Sequence, residues 1–214
     1  MSREDRPAGD GYDGSAMSRD SDLLERDDSV LVVVDLQPGF LVAIDEAARA
    51  VAAEAAARAT WLVGVASVLG VPVVVTEEDP ARNGPTDRTA LERAGPAVPV
   101  LEKRVFGLAD QPDILASAEA TGRRTAVLVG TETDVCVAQS ALGLLGRGFR
   151  VAVVTDATFS PGEMHAHGLH RMRQAGVLEV HAKGVYYEWV RTLAEARRFE
   201  AANPDLAEPP GFSL

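Results

Sequence analysis

Short apolar runs alternate along the chain with longer stretches of helical spacing. Ser29–Leu36 (SVLVVVDL), Val71–Asp79 (VPVVVTEED), Thr125–Gly130 (TAVLVG), Arg150–Ala157 (RVAVVTDA) and Val177–Ala182 (VLEVHA) carry the β-branched residues. Runs of this kind, apolar at successive positions, predict strands buried on both faces. A further short strand is expected in Val100–Gly107 (VLEKRVFG), around Lys103. Helices are predicted between them: the alanine-rich Ala43–Gly70, then Asp113–Gly122, Asp134–Gly148, Gly162–Gly176 and finally Glu188–Ala202. The glycines that close four of these stretches suit a helix C-terminus, where a left-handed residue is needed. Asp79–Pro99, with its prolines and glycine, is read as a loop. Strand and helix alternate throughout. The order predicts an α/β fold, a three-layer α/β/α sandwich around a mostly parallel, Rossmann-like sheet.

Met1–Asp28 breaks the pattern. It is polar and rich in Asp, Arg, Ser and Gly, and a flexible segment is expected there, ahead of one domain over residues 29–214. MSRE at Met1 recurs as MSRD at Met17, leaving two candidate starts.

Composition narrows the function. A formal net charge of −11 repels a polyanion, so no nucleic-acid partner is expected. A single cysteine excludes an intrachain disulfide framework and cysteine-rich zinc sites. No uninterrupted apolar run reaches the roughly 18 residues that span a bilayer, and no basic-then-apolar leader opens the chain. A cytoplasmic protein without a membrane partner is the expectation. Neither a G-x-G-x-x-G nor a G-x-x-x-x-G-K-[ST] motif stands where a phosphate site needs one.

In a parallel sheet, ligands sit at the carboxyl ends of the strands. Three residues there carry chemistry. Asp35 ends the first run, and its plainer reading is a turn cap ahead of Gln37-Pro38-Gly39. Lys103 lies between Glu102 and Arg104, and its plainer reading is a surface cation. Cys136 follows LVG at a strand-to-helix junction. Thr133 or Asp134 is the expected N-cap, and the plainer reading of the cysteine is a small buried hydrophobe. Together they form a complementary set of proton acceptor, cation and nucleophile. Amide groups at the helix start would hold a developing oxyanion. The set points to acyl transfer through a thioester.

LVVVDLQPGF, LEKRVFG and VLVGTETDVCVAQSALGLLGRGFRVAVVTDAT resemble the cysteine-hydrolase branch of the isochorismatase-like superfamily, from about Asp22 to Phe199. The block around Cys136 is the most specific: G-x-x-T-x-x-C-V, a helix, G-x-x-V, then D-A. The resemblance implies a catalytic triad of Asp35, Lys103 and Cys136, a non-proline cis peptide between Thr131 and Glu132, and an oxyanion hole from the backbone of Val135 and Cys136. Its implied activity is hydrolysis of a small amide, ureide or related C–N substrate, without a cofactor. Relatives are usually oligomers, so a homo-oligomer is expected.

TEEDPARNGPTDR holds no histidine where nicotinamidases of this branch carry a metal cluster, so no metal site is expected. His165 and His167 point to different faces of one helix, and His170 adds only one possible companion. Relatives often carry a histidine near the start of this helix, and either His165 or His167 is the match. Phe40 and Phe106 are candidate pocket walls. Glu77, Glu78 and Asp79 read as solvated loop acids that could reach the pocket. Two rival readings stay open: a non-catalytic small-molecule binding or scaffold protein on this fold, and a thiol redox sensor that needs an intermolecular disulfide.

Overall fold

The computed structural model describes residues 22–42 and 44–214. Six strands form one sheet: β1 (Ser29–Val34), β2 (Val73–Glu78), β3 (Val100–Lys103), β4 (Thr125–Thr131), β5 (Arg150–Phe159) and β6 (Leu178–Val180). Their spatial order is β3-β2-β1-β4-β5-β6 and every pairing is parallel. The order reverses between β1 and β4, which opens a crevice at their carboxyl ends.

Alternate residues of each strand serve opposite faces. Leu31, Val33, Val75, Val127, Val129, Ala152 and Val154 pack on one side with α1 (Glu46–Leu69), α7 (Ala182–Val190) and α8 (Leu193–Ala202). Val30, Val32, Val34, Val74, Ala126, Leu128, Val151 and Val153 pack on the other with α4 (Pro112–Glu119), α5 (Ala138–Gly146) and Met172 of α6 (Met164–Gln174). This is the expected three-layer α/β/α sandwich, since a parallel sheet must bury both faces.

Asp45 caps α1 by accepting from Ala48 N–H at 2.8 Å, and Gly70 ends it in the left-handed region. Length and mean apolarity alone would let α1 cross a bilayer, although Glu46, Arg49, Glu54 and Arg58 interrupt it, so that it holds no uninterrupted apolar run of that length. Its residues Ala59–Ala66 are instead buried, most of them packed into the core beneath the sheet. Tyr186 and Trp189 are buried within the subunit, while Tyr187 is partly exposed.

Three boundaries differ from expectation. The Asp79–Pro99 loop contains two short helices, α2 (Pro80–Asn83) and α3 (Arg88–Ala94). The expected Glu188–Ala202 helix is broken at Arg191, which adopts φ 61°, and Thr192 recaps the chain by accepting from Glu195 N–H at 3.2 Å. A last helix, α9 (Pro204–Ala207), follows. Packing also reaches further back than residue 29: Leu24 is fully buried and its N–H donates to Glu188 at 2.5 Å. Residues 26–28 of the expected flexible segment form a short 3-10 turn, and its residues 1–21, including Met1 and Met17, lie outside the described residues.

Gly130, in β4, has φ 119°, and a Cβ there would lie 1.9 Å from the Val34 carbonyl oxygen. Gly130→Ala is therefore expected to cost several kcal/mol, roughly 10 °C of Tm or more. At Gly122 (φ 68°) a Cβ meets nothing within 4 Å, and Gly122→Ala is expected to cost about 1 kcal/mol, roughly 2–4 °C. Thermal unfolding of both variants checks the difference.

Candidate active site

The carboxyl ends of four adjacent strands converge. Asp35 follows β1, Glu78 ends β2, Lys103 ends β3, and Cys136 lies just beyond β4 in a tight π-helical turn, Thr133–Val137. Register places Lys103 beside Glu78 and Val34 beside Thr76. The three residues named from sequence therefore meet, and Glu78 joins them.

Asp35 sits in the left-handed region, φ 47°, an uncommon conformation for a residue with a Cβ. The chain is held there by its neighbours. Asp35 N–H donates to Thr76 O at 3.2 Å. Its carbonyl accepts from Gln37 N–H at 2.8 Å and from the Thr131 hydroxyl at 2.6 Å. The carboxylate is fully buried. Oδ1 accepts from the Thr76 hydroxyl at 2.8 Å, and Oδ2 faces Lys103 Nζ at 2.9 Å, an ion pair with no aligned hydrogen bond to that oxygen. Burial pushes the Asp35 carboxyl above its usual range, against the pull of Lys103.

Lys103 is also sealed from solvent. Its ammonium donates to Val105 O at 2.7 Å and stands 3.5 Å from Glu78 Oε2 and 3.6 Å from Cys136 Sγ. Burial opposes its charge, yet Asp35, Cys136 and Glu78 together hold it above the usual lysine range. Donor atoms of Asp35, Glu78 and Cys136 lie within 4.8 Å of one another, close enough for a metal ion. The Lys103 ammonium already occupies the cationic position among them, so no metal is assigned there.

The Cys136 thiol donates to Glu78 Oε2 at 3.1 Å. Burial raises its pKa well beyond the ordinary thiol range. Asp35 and Glu78 add to the shift, while Lys103 works against it.

Tertiary contacts hold the turn that carries Cys136. The Thr131–Glu132 peptide is cis. Neither Thr133 nor Asp134 acts as the expected N-cap. The Thr133 hydroxyl lies 2.9 Å from His165 Nδ1, and Asp134 Oδ1 accepts from the Ser160 hydroxyl at 2.6 Å. His165 is thus the histidine of α6 that reaches the turn, and burial holds its pKa below the usual value. Gly168 of the same helix lets α6 press on Asp134, since a Cβ there would lie 2.7 Å from Asp134 Cα. Val135 N–H, expected to face an oxyanion, donates to Glu132 O at 3.2 Å, because the tight turn closes on its own carbonyl.

A cavity of about 500 Å³ adjoins the group on the side of Glu78 and Lys103; Asp79, Glu102, Arg104, Val105 and Phe106 complete its lining, and neither Asp35 nor Cys136 is part of it. Phe106 therefore walls it. Phe40 is half-buried on the Pro38–Leu41 turn and is not among the lining residues. Sequence reasoning passed over Gln37. Its Oε1 accepts from Glu78 N–H at 2.7 Å and its Nε2 donates to Glu78 O at 3.1 Å, so it fixes the end of β2. A buried amide two residues after a strand-end acid was the available signal.

Residues 29–182 match the isochorismatase domain family. Isochorismatase domain-containing protein 1 of Danio rerio is 37% identical over 126 residues, which cover 58% of this chain and 44% of that protein. The chain spans about half the length of the curated relatives it matches first. Three solved structures share the fold over most of both chains. YcaC of Escherichia coli, an octameric hydrolase of unknown specificity, has 26% identity and a TM-score of 0.74, covering 88% of this chain and 95% of its own. YcaC of Pseudomonas aeruginosa, seen with hexane-2,5-diol and covalent acrylamide, has 27% identity and a TM-score of 0.73, covering 89% and 96%. MAR1 ribonuclease of Caenorhabditis elegans has 26% identity and a TM-score of 0.76, covering 90% and 97%.

Removing one member of a buried ion pair leaves the other uncompensated, at about 3–5 kcal/mol. Lys103→Met is expected to lose stability on that scale, and Lys103→Met combined with Asp35→Asn is expected to recover most of it. Urea unfolding of the two variants checks this. Equal losses in both would show that the pair is not coupled.

Proposed function

This chain belongs to the isochorismatase family, in its cysteine-hydrolase branch, and on that footing we propose that it hydrolyses a small amide, ureide or related C–N bond through a thioester on Cys136. The observation that carries the reading is the contact set around the thiol: a partly exposed carboxylate at 3.1 Å and a fully buried ammonium at 3.6 Å. A thiol whose pKa is raised by burial needs a proton acceptor within reach before it can attack, and a cation to stabilise the sulfur once charged. Both stand in place.

In this mechanism a site carboxylate takes the thiol proton, Asp35 by family resemblance and Glu78 by distance. The thiolate attacks the acyl carbon, the amine leaves with that proton, and water cleaves the thioester. Lys103 offsets the charge on sulfur and is itself held by Asp35 and by Val105 O. Amide groups of the Cys136 turn stabilise the oxyanion, with Val135 N–H exchanging Glu132 O for the substrate.

The covalent acrylamide in Pseudomonas YcaC supports access of a small amide-bearing molecule to this fold. The cavity, about 500 Å³, suits such a molecule. A ribonuclease reading, prompted by the worm relative, fits poorly. The formal net charge is −11, and three acids, Glu78, Asp79 and Glu102, border the cavity. Homo-oligomerisation is part of the proposal, supported by the octameric Escherichia coli relative and by exposed apolar residues such as Val42 and Val51.

A panel of short carboxamides and ureides is expected to reveal turnover that falls at least about 10³-fold in Cys136→Ser, with unchanged Tm. Turnover of the same substrate at the wild-type rate in that variant would exclude the cysteine as nucleophile.

A further inference from the structure

We infer that His165 is a positioning residue for the oxyanion step: its bond to the Thr133 hydroxyl aims the backbone amides of the Cys136 turn without setting the place of the sulfur. The inference rests on the cysteine-hydrolase reading and assigns a residue to one step within it.

The first argument is what His165 leaves undone. No side chain caps α6 at its start, and the buried residues of that helix are Gly168 and Met172. His165 is half-buried, whereas His167 and His170 are exposed. It borders a second cavity of about 330 Å³, shared with Ala48, Val51 and Ala55 of α1. The ring therefore neither caps a helix nor fills the core. Its hydrogen bond among the described residues is the one with the Thr133 hydroxyl, at 2.9 Å from Nδ1.

The second argument is what Thr133 requires. Thr133 is 0% exposed, so no water can serve its hydroxyl. A buried hydroxyl is costly without a partner, and His165 supplies one. That bond pins the first residue of the turn. The next residue is pinned separately, because Asp134 Oδ1 accepts from the Ser160 hydroxyl at 2.6 Å and Asp134 N–H donates to the same oxygen at 3.3 Å. Gly168 brings the α6 backbone against both residues. A Cβ there would lie 2.9 Å from the Thr133 carbonyl carbon and 2.7 Å from Asp134 Cα. The amides of Val135 and Cys136 come directly after these two anchors. Oxyanion donors are effective when they are aimed before the charge develops.

The third argument is a division of labour. The sulfur takes its contacts from the strand ends, Glu78 Oε2 at 3.1 Å and Lys103 Nζ at 3.6 Å. The backbone of the turn takes its anchors from α6 and from Ser160. Loss of the His165 bond should therefore loosen the amides and spare the sulfur. Burial keeps the ring neutral against the carboxylates that face it, Asp134 on the turn and Glu179 on β6. Its contribution is geometric.

Two reagents separate the amides from the sulfur. With p-nitrophenyl acetate the S–C bond forms, a tetrahedral oxyanion develops, the C–O bond breaks and p-nitrophenolate leaves, while the thiol proton passes to a site carboxylate. Iodoacetamide alkylates the same sulfur by displacing iodide, and no oxyanion forms.

The test is the rate of each reaction at Cys136, located by peptide mass. His165→Ala is expected to slow acetylation about 10-fold or more and to change alkylation by less than about 2-fold. His165→Asn, whose amide places a polar atom where Nδ1 stands, is expected to restore most of the acetylation rate. His165→Gln, whose amide lies one bond further out, is not. The contrast between Asn and Gln keeps the test independent of how well the Ala variant folds. Thr133→Val is expected to reproduce His165→Ala, and the double variant to lose no more than either alone. Equal loss in both reactions, additive losses in the double variant, or equal rates in the Asn and Gln variants would overturn the inference and leave the cysteine-hydrolase reading intact. A wild-type Cys136 that takes neither reagent overturns both.

Discussion

A lysine and an aspartate, both closed off from water, meet at 2.9 Å beneath the end of the sheet. Neither charge is tolerable there alone, because desolvating one ion costs several kcal/mol. Each must be surrounded by partners, and the surroundings follow from that need. Thr76 and Val105 O complete the shells of the aspartate and the lysine. Asp35 accepts an uncommon left-handed backbone to reach its place. The thiol then enters a site whose field is already set.

The topology explains why these groups meet. β3, β2 and β1 are neighbours, so Lys103 extends past β2 to reach Asp35 and passes Glu78 on the way. β4 lies on the other side of β1, across the reversal in strand order, and delivers Cys136 from the opposite flank of the crevice. The turn after β4 is braced from behind by α6, through His165, Gly168 and the Ser160–Asp134 contact. A nucleophile on a short irregular turn needs such bracing to hold a fixed geometry. The Cys136 environment is thus assembled from strand ends, while its precision comes from a helix on one layer.

Much of this was legible in the residues. Runs such as LVVV and AVLV admit few readings other than buried strands, and a parallel sheet places their last residues at a site. Asp35, Lys103 and Cys136 were recoverable as a set because their types complement one another. Glu78 was harder. It sits in TEED, which looks like a solvated loop, and only strand alternation separates its fate from that of Glu77. Glu77 turns away to accept from Thr86 N–H at 2.6 Å, while Glu78 faces the thiol. Thr133 and Asp134 had the chemistry of caps, but tertiary partners claimed their side chains instead. The break at Arg191 was hidden because the helical pattern continues through it.

The central claim is that Cys136 carries the acyl group during turnover. Its most direct test is rapid-quench intact-mass analysis during hydrolysis of a short carboxamide or ureide that the protein turns over. The account predicts a transient adduct with the mass of the acyl group, located on the peptide that contains Cys136 and released by hydroxylamine. Full turnover with no adduct at any quench time, and none trapped by hydroxylamine, would contradict it.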